Sequence, residues 1–195
     1  VQLVLVQHGF AEAAAELAAR AAAAGVTELV ALTAPDSATL GRCLNLGVGA
    51  ADGDFLAKLD DDNFYGRHYL RDLVRAFSYT DAAVVGKWAH LVHLESSQAT
   101  LLRFGHAEHR YTDLVQGGTI MTRRDTAVRL RFEDLPRRVD TTFLDKIRAD
   151  GGSVYSTDRF NFVSIRRADP SSHTWTITEK QLLARRSRRL FYGPP

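Results

Sequence analysis

The sequence predicts an α/β fold built on a mixed, mainly parallel sheet. Short apolar, β-branched runs alternate with helix-forming stretches from Val1 to Leu59. Brief connections carrying Gly, Pro, Asp and Ser separate them. With 195 residues, 45% of them hydrophobic and 25% charged, the chain has the size and composition of one packed globular domain rather than a disordered or fibrous one.

Taken in order, residues 1–6 read as a buried strand ending at Gln7-His8-Gly9, and a chain that begins inside a strand reads as cut from something longer. Residues 11–24 form an alanine-rich helix stopped by Gly25. Residues 26–32 make a second strand, 40–51 a second helix closed by Asp52-Gly53, and 55–59 a third strand. In an open sheet of this kind, ligands bind beyond the carboxyl ends of the strands. Gln7-His8, the 33–36 loop and the residues after Leu59 all belong to that edge. Further on, 69–77 is an amphipathic helix and 82–88 a strand, and 89–105 holds two more extended segments. A polar loop over 106–116 leads to a Gly117-Gly118 turn and a short strand. A helical turn at 125–130, a helix over 141–150 and strands at 154–156 and 160–166 complete the pattern. No internal repeat or low-complexity linker interrupts it, so a single domain is expected over 1–195, with a basic helix or tail at 178–195.

The net charge of +2 gives no reason to expect nucleic acid or a membrane surface as a partner. The basic cluster Arg185, Arg186, Arg188 and Arg189, with Leu182, Leu183, Leu190 and Phe191, reads as a solvated helix, with peripheral contact to an anionic membrane as the alternative. The lone cysteine, Cys43, excludes an internal disulfide framework and fits a reducing compartment. No apolar run approaches the ~20 residues of a transmembrane helix. The N-terminus has no secretory pattern, so a cytoplasmic location is expected.

Three consecutive carboxylates, Asp60, Asp61 and Asp62, follow the third strand. Adjacent anions about 4 Å apart repel by roughly 4 kcal/mol near a protein surface, so such a run calls for a compensating cation. In an extended segment Asp60 and Asp62 share a face and Asp61 takes the other. Paired hard oxygen donors suit Mg²⁺ or Mn²⁺, which also bind phosphates. The structural alternative is a polar turn whose Asp60 or Asp62 caps the next helix.

Three segments together resemble the family 2 glycosyltransferases, which have the GT-A fold, a Rossmann-like three-layer sandwich. Leu40-Gly41-Arg42-Cys43-Leu44-Asn45-Leu46-Gly47, then Ala50-Ala51-Asp52-Gly53-Asp54-Phe55, is similar to the family's helix and turn before the metal-binding strand. Leu59-Asp60-Asp61-Asp62-Asn63 looks like its DxD signature. Val139-Asp140-Thr141-Thr142-Phe143-Leu144, after Gly117-Gly118-Thr119, lies where the family places its catalytic base. The resemblance runs from the first strand to about Trp175. Three departures accompany it. The strand that holds the nucleotide base has no counterpart, and Gln7-His8-Gly9 stands where the family carries an acidic pair. Val139-Asp140 stands where Glu-Asp is common.

The resemblance implies a metal-dependent, inverting transfer of a sugar from a nucleoside-diphosphate sugar, uridine diphosphate being the commonest carrier, to an acceptor hydroxyl on a glycan, lipid or cell-wall polymer. Asp140 would be the general base, with a plain helix N-cap as the alternative. Asp60 and Asp62 would hold Mn²⁺ or Mg²⁺, with His173 as a further ligand, a surface or structural histidine being its alternative. Asp61, Asn45, Gly117 and Gly118 would contact the donor, and Trp175 would stack on an acceptor sugar unless it packs in the core. Two other functions remain open at this point. One is a non-catalytic or degenerate nucleotide-sugar-binding module. The other is a nucleotidyltransferase on a related sheet, against which stands the lack of a Gly-rich phosphate loop before Gly25.

Overall fold

The elements follow from local chemistry. The chain runs β1 (Gln2–His8), α1 (Ala14–Ala23), β2 (Glu28–Ala34), α2 (Leu40–Ala50), β3 (Phe55–Ala57), β4 (Phe64–Tyr65), α3 (Tyr69–Ala76), β5 (Val84–Gly86), β6 (His90–Leu94), β7 (Ala99–Arg103) and β8 (Arg110–Thr112). A 3₁₀ turn (Gly117–Thr119) then leads to β9 (Met121–Arg123), α4 (Arg124–Leu130), α5 (Val139–Ala149), β10 (Val154–Ser156), β11 (Phe162–Arg166) and β12 (Ser187–Tyr192). The computed structural model describes residues 1–168, 182 and 187–195. They divide into two compact units, Val1–Leu56 with Thr122–Lys146, and Ala57–Met121 with Ile147–Pro195.

In the first unit β1 and β2 pair in parallel, with Gln7 opposite Thr33 and His8 opposite Ala34. The alanine-rich α1 closes with a Schellman turn, in which Val26 N–H bonds to Ala21 O at 2.9 Å and Gly25 N–H to Ala22 O at 3.0 Å. Thr39 caps α2 by accepting from Arg42 N at 3.1 Å. Ala34, Ala38 and Cys43 pack together with Val6 beneath that helix. Phe132 stacks on Phe143 of α5 with ring centres 4.5 Å apart.

In the second unit β10 lies parallel to β5 and antiparallel to β8. A second sheet has the order β12-β7-β6-β11-β4, in which β6 and β11 are parallel and the other neighbours antiparallel. The sheets are therefore mixed. Tyr69, Leu73 and Ala76 recur at helical spacing on the buried face of α3. The Tyr69 ring meets Tyr65 edge-on at 4.9 Å, and Phe162 closes the aromatic group at 5.4 Å from Tyr65.

Several expectations change. The 106–116 loop contains a strand, β8, and β4 adds a second strand that periodicity did not mark. Over its last residues the basic helix expected at 178–195 is instead β12, an edge strand paired with β7 from Ser187–Arg103 to Tyr192–Ala99. The pairing satisfies backbone groups of both strands, which local helix propensity could not do. Helix α5 starts two residues earlier than expected, so Asp140 lies inside its first turn rather than at the cap.

Candidate functional site

The strand β3 ends at Ala57, and the aspartates do not continue it: Asp61 and Asp62 form a turn. The alternation expected to put Asp60 and Asp62 on one face therefore stops short of them. What fixes the run is a set of bonds to the Gly117-Gly118 turn. Lys58 N–H bonds to Ile120 O at 2.9 Å. Its ammonium lies 2.5 Å from Asp60 Oδ1 and 3.3 Å from Gly117 O. The Tyr65 hydroxyl accepts from Asp60 N–H at 2.8 Å and donates to Gly118 O at 2.9 Å. The Asn63 amide reaches Asp60 Oδ2 at 3.4 Å, while its carbonyl accepts from Ile165 N–H at 3.2 Å. Gln116 closes the turn by accepting from Gly118 N–H at 2.6 Å.

Gly118 permits this approach because it has no side chain. A Cβ there would stand 2.5 Å from Asp60 Oδ2 and 3.0 Å from the Tyr65 hydroxyl. Burial pushes the Tyr65 phenol well above its ordinary pKa, with the nearby Asp60 and Asp62 charges adding to the shift, so the hydroxyl keeps its proton and can donate. Burial lowers the pKa of the Arg166 guanidinium, and the charge of Asp62 opposes that shift. Asp61 is exposed, and Asp60 and Asp62 are half-buried. Lys58, Asn63 and Tyr65 were not singled out from the sequence. The signal available was a lysine two positions before the first aspartate, an opposite charge beside a run of like ones.

Asn45 bonds within the first unit. Its amide donates to Phe132 O at 2.8 Å and its carbonyl accepts from Phe132 N–H at 3.0 Å, clamping two parts of the first unit. Gly41 belongs to the same clamp: its N–H bonds to Leu135 O at 3.1 Å, and a Cβ would fall 1.7 Å from Glu133 O. Asp140 also lies in this unit, in the first turn of α5, with Oδ1 buried. His173 and Trp175 lie outside the described residues.

At the ends of β1 and β2, an open pocket of about 300 Å³ is lined by Gly9, Phe10 and residues 33–36. The side chains before it are held locally. Gln7 accepts from Glu12 N–H at 2.6 Å, and His8 Nε2 lies 3.2 Å from Asp36 O.

Among the described residues no three His, Cys, Asp or Glu side chains gather as a complete metal site. Asp60 does hold a cation, the Lys58 ammonium, and its oxygen chemistry suits a hard divalent ion. A Mn²⁺ or Mg²⁺ ion at Asp60 and Asp62 would complete its shell with phosphate oxygens or water.

No protein-family model and no curated protein matches the chain. Solved structures do. Residues 1–349 of S. aureus TarS in complex with UDP-GlcNAc align with a TM-score of 0.64 and 16% identity, covering 89% of this chain and 52% of that one. The same protein in complex with UDP aligns at 0.62 and 15% identity, covering 85% and 51%. The chain thus spans about half the length of these structures. The likeness establishes the fold: a mixed α/β architecture of the GT-A type.

Proposed function

We propose that this domain transfers a sugar from a nucleoside-diphosphate sugar, expected to be uridine-linked, to an acceptor hydroxyl. The observation that carries the reading is the aspartate run after β3, bound through Lys58 and Tyr65 to the Gly117-Gly118 turn. That arrangement gathers carboxylate oxygens beside the turn in the second unit, where a divalent ion held by them would bridge to a diphosphate. The fold likeness to a protein crystallised with UDP-GlcNAc supports the same choice.

Asp62 with Asp60 would hold Mn²⁺ or Mg²⁺, and the ion would act as a Lewis acid toward the leaving diphosphate. Asp61, exposed beside them, is the candidate for ribose or sugar contact. Asp140 would accept the acceptor's proton. It stands in the first turn of α5. Direct displacement by the acceptor would invert the anomeric carbon. His173 as a metal ligand and Trp175 at the acceptor keep the roles that the resemblance gives them.

Calorimetric titration of UDP and UDP-GlcNAc, with and without Mn²⁺, tests the reading. Mn²⁺-dependent binding of both is expected, and a protein that binds neither would rule it out. One observation favours a second reading, a non-catalytic nucleotide-sugar-binding module. Gln7 and His8, where the family carries its acidic pair, are held by local backbone. Binding without turnover against any acceptor would select that reading.

A further inference from the structure

The Lys58 ammonium is a component of the site that the aspartate motif does not include. Its side chain is 7% exposed, against 33% for Asp60. The ammonium lies against the Asp60 carboxylate and the Gly117 carbonyl. Burying an ammonium is costly unless an anion faces it, and Asp60 is that anion. Lys58 and Asp60 are therefore bound to each other electrostatically as well as by geometry.

We propose that Lys58 is the resident counter-cation of the aspartate run, holding Asp60 in the free protein so that a divalent ion loads well only together with a nucleotide's phosphates. The proposal rests on reading this run as the donor site. A divalent ion approaching Asp60 alone meets a fixed like charge within a few ångströms, in a medium that screens poorly. A diphosphate brings the negative charge that offsets this repulsion. The Gly117 carbonyl gives the ammonium a second acceptor that remains when Asp60 turns to the ion. Asp61, exposed, adds negative charge nearby.

The test is Mn²⁺ binding to the full chain without nucleotide, read from the loss of the free-ion electron paramagnetic resonance signal. Lys58→Met removes the charge and should tighten Mn²⁺ binding by about tenfold or more. Lys58→Arg keeps it and should stay within about threefold of the parent protein. Adding Asp60→Asn to Lys58→Met should abolish the gain, which ties the effect to that carboxylate. Unchanged or weaker Mn²⁺ binding by folded Lys58→Met overturns the proposal. If that variant does not fold, Lys58→Gln is judged by the same criterion. A further arm uses the parent protein alone: UDP, corrected for its own complex with the ion, should tighten Mn²⁺ binding by about tenfold or more. Equal affinity with UDP bound and absent also overturns it. If UDP fails to bind, the donor-site reading falls, while the Lys58→Met arm still decides whether the ammonium governs cation access.

Discussion

Gly118 shows how tightly the candidate site is packed at the scale of a residue. Gly118→Ala would push a methyl group to 2.5 Å from Asp60 Oδ2, a carboxylate already bonded to Lys58 and Asn63. The substitution should cost about 1–3 kcal/mol in stability and abolish UDP binding, measured by denaturant unfolding and calorimetry. Gly49→Ala is the contrast: nothing lies within 4 Å of the new methyl, the site is exposed on α2, and a gain of about 0.5–1 kcal/mol is expected. His90 is a second residue with a measurable consequence. Burial, helped by the charge of Arg103 and opposed by the bond to Trp88 O, pushes its pKa down to about 4. The unfolded chain therefore takes up the proton near pH 6.5 and the folded chain only near pH 4. Stability is unaffected by this group above pH ~6.5 and falls through that window, by roughly 3 kcal/mol in all. Urea unfolding of His90→Gln should lose correspondingly less than the parent protein between pH 7 and pH 4. Parallel pH curves for the two would refute the assignment. Nothing in the sequence separated His90 from the other histidines, because its distinction is complete burial between β7 and β11.

At the scale of an element, α2 serves as a clamp for the 130–135 segment. Asn45 holds Phe132, Gly41 abuts Glu133, and the Thr39 hydroxyl donates to Asp134. From the opposite side Lys146 of α5 bonds to Leu130 O at 3.2 Å and Arg131 O at 3.1 Å, and pairs with Glu133 at 2.6 Å. This segment leads directly into the first turn of α5, where Asp140 stands. Asn45→Ala would leave both Phe132 backbone groups without their present partner, at a cost of about 2 kcal/mol. It should lower the rate of transfer more than it weakens UDP binding. An equal loss of both would assign Asn45 a direct donor contact instead. The helix itself was legible as the stretch closed by Asp52-Gly53, but its purpose was not, because the bonded residues are 87 positions apart. The same limit explains β12. Residues 187–192 carry a local pattern that a helix could use, and only the distant β7 makes them a strand.

For the molecule as a whole, the alternation of strands and helices gave the α/β class, while the order and direction of the strands depended on contacts that periodicity does not encode. Parallel pairs are present in β1–β2, β5–β10 and β6–β11, yet antiparallel neighbours outnumber them in the sheet containing β12. The candidate site divides in a comparable way. The aspartates were legible because like charges in sequence are conspicuous, whereas Lys58 and Tyr65 became visible only once the Gly117-Gly118 turn was brought against them. The two proposed tasks, holding the donor and accepting a proton, fall to different residues, Asp62 and Asp140, so each can be removed separately. Asp62→Asn keeps the size of the side chain and removes the charge. It should weaken Mn²⁺-dependent UDP binding by about tenfold or more while leaving the metal-free component unchanged. Unaltered titration would end the metal role of Asp62. Asp140→Asn keeps a polar side chain in the first turn of α5 and should cost less than about 1 kcal/mol of stability. Its UDP titration should match that of the parent protein, and transfer to an acceptor should fall by about 10²–10⁴-fold. If transfer persists at the parental rate while Asp62→Asn still loses donor binding, the donor site stands and the base must be another residue.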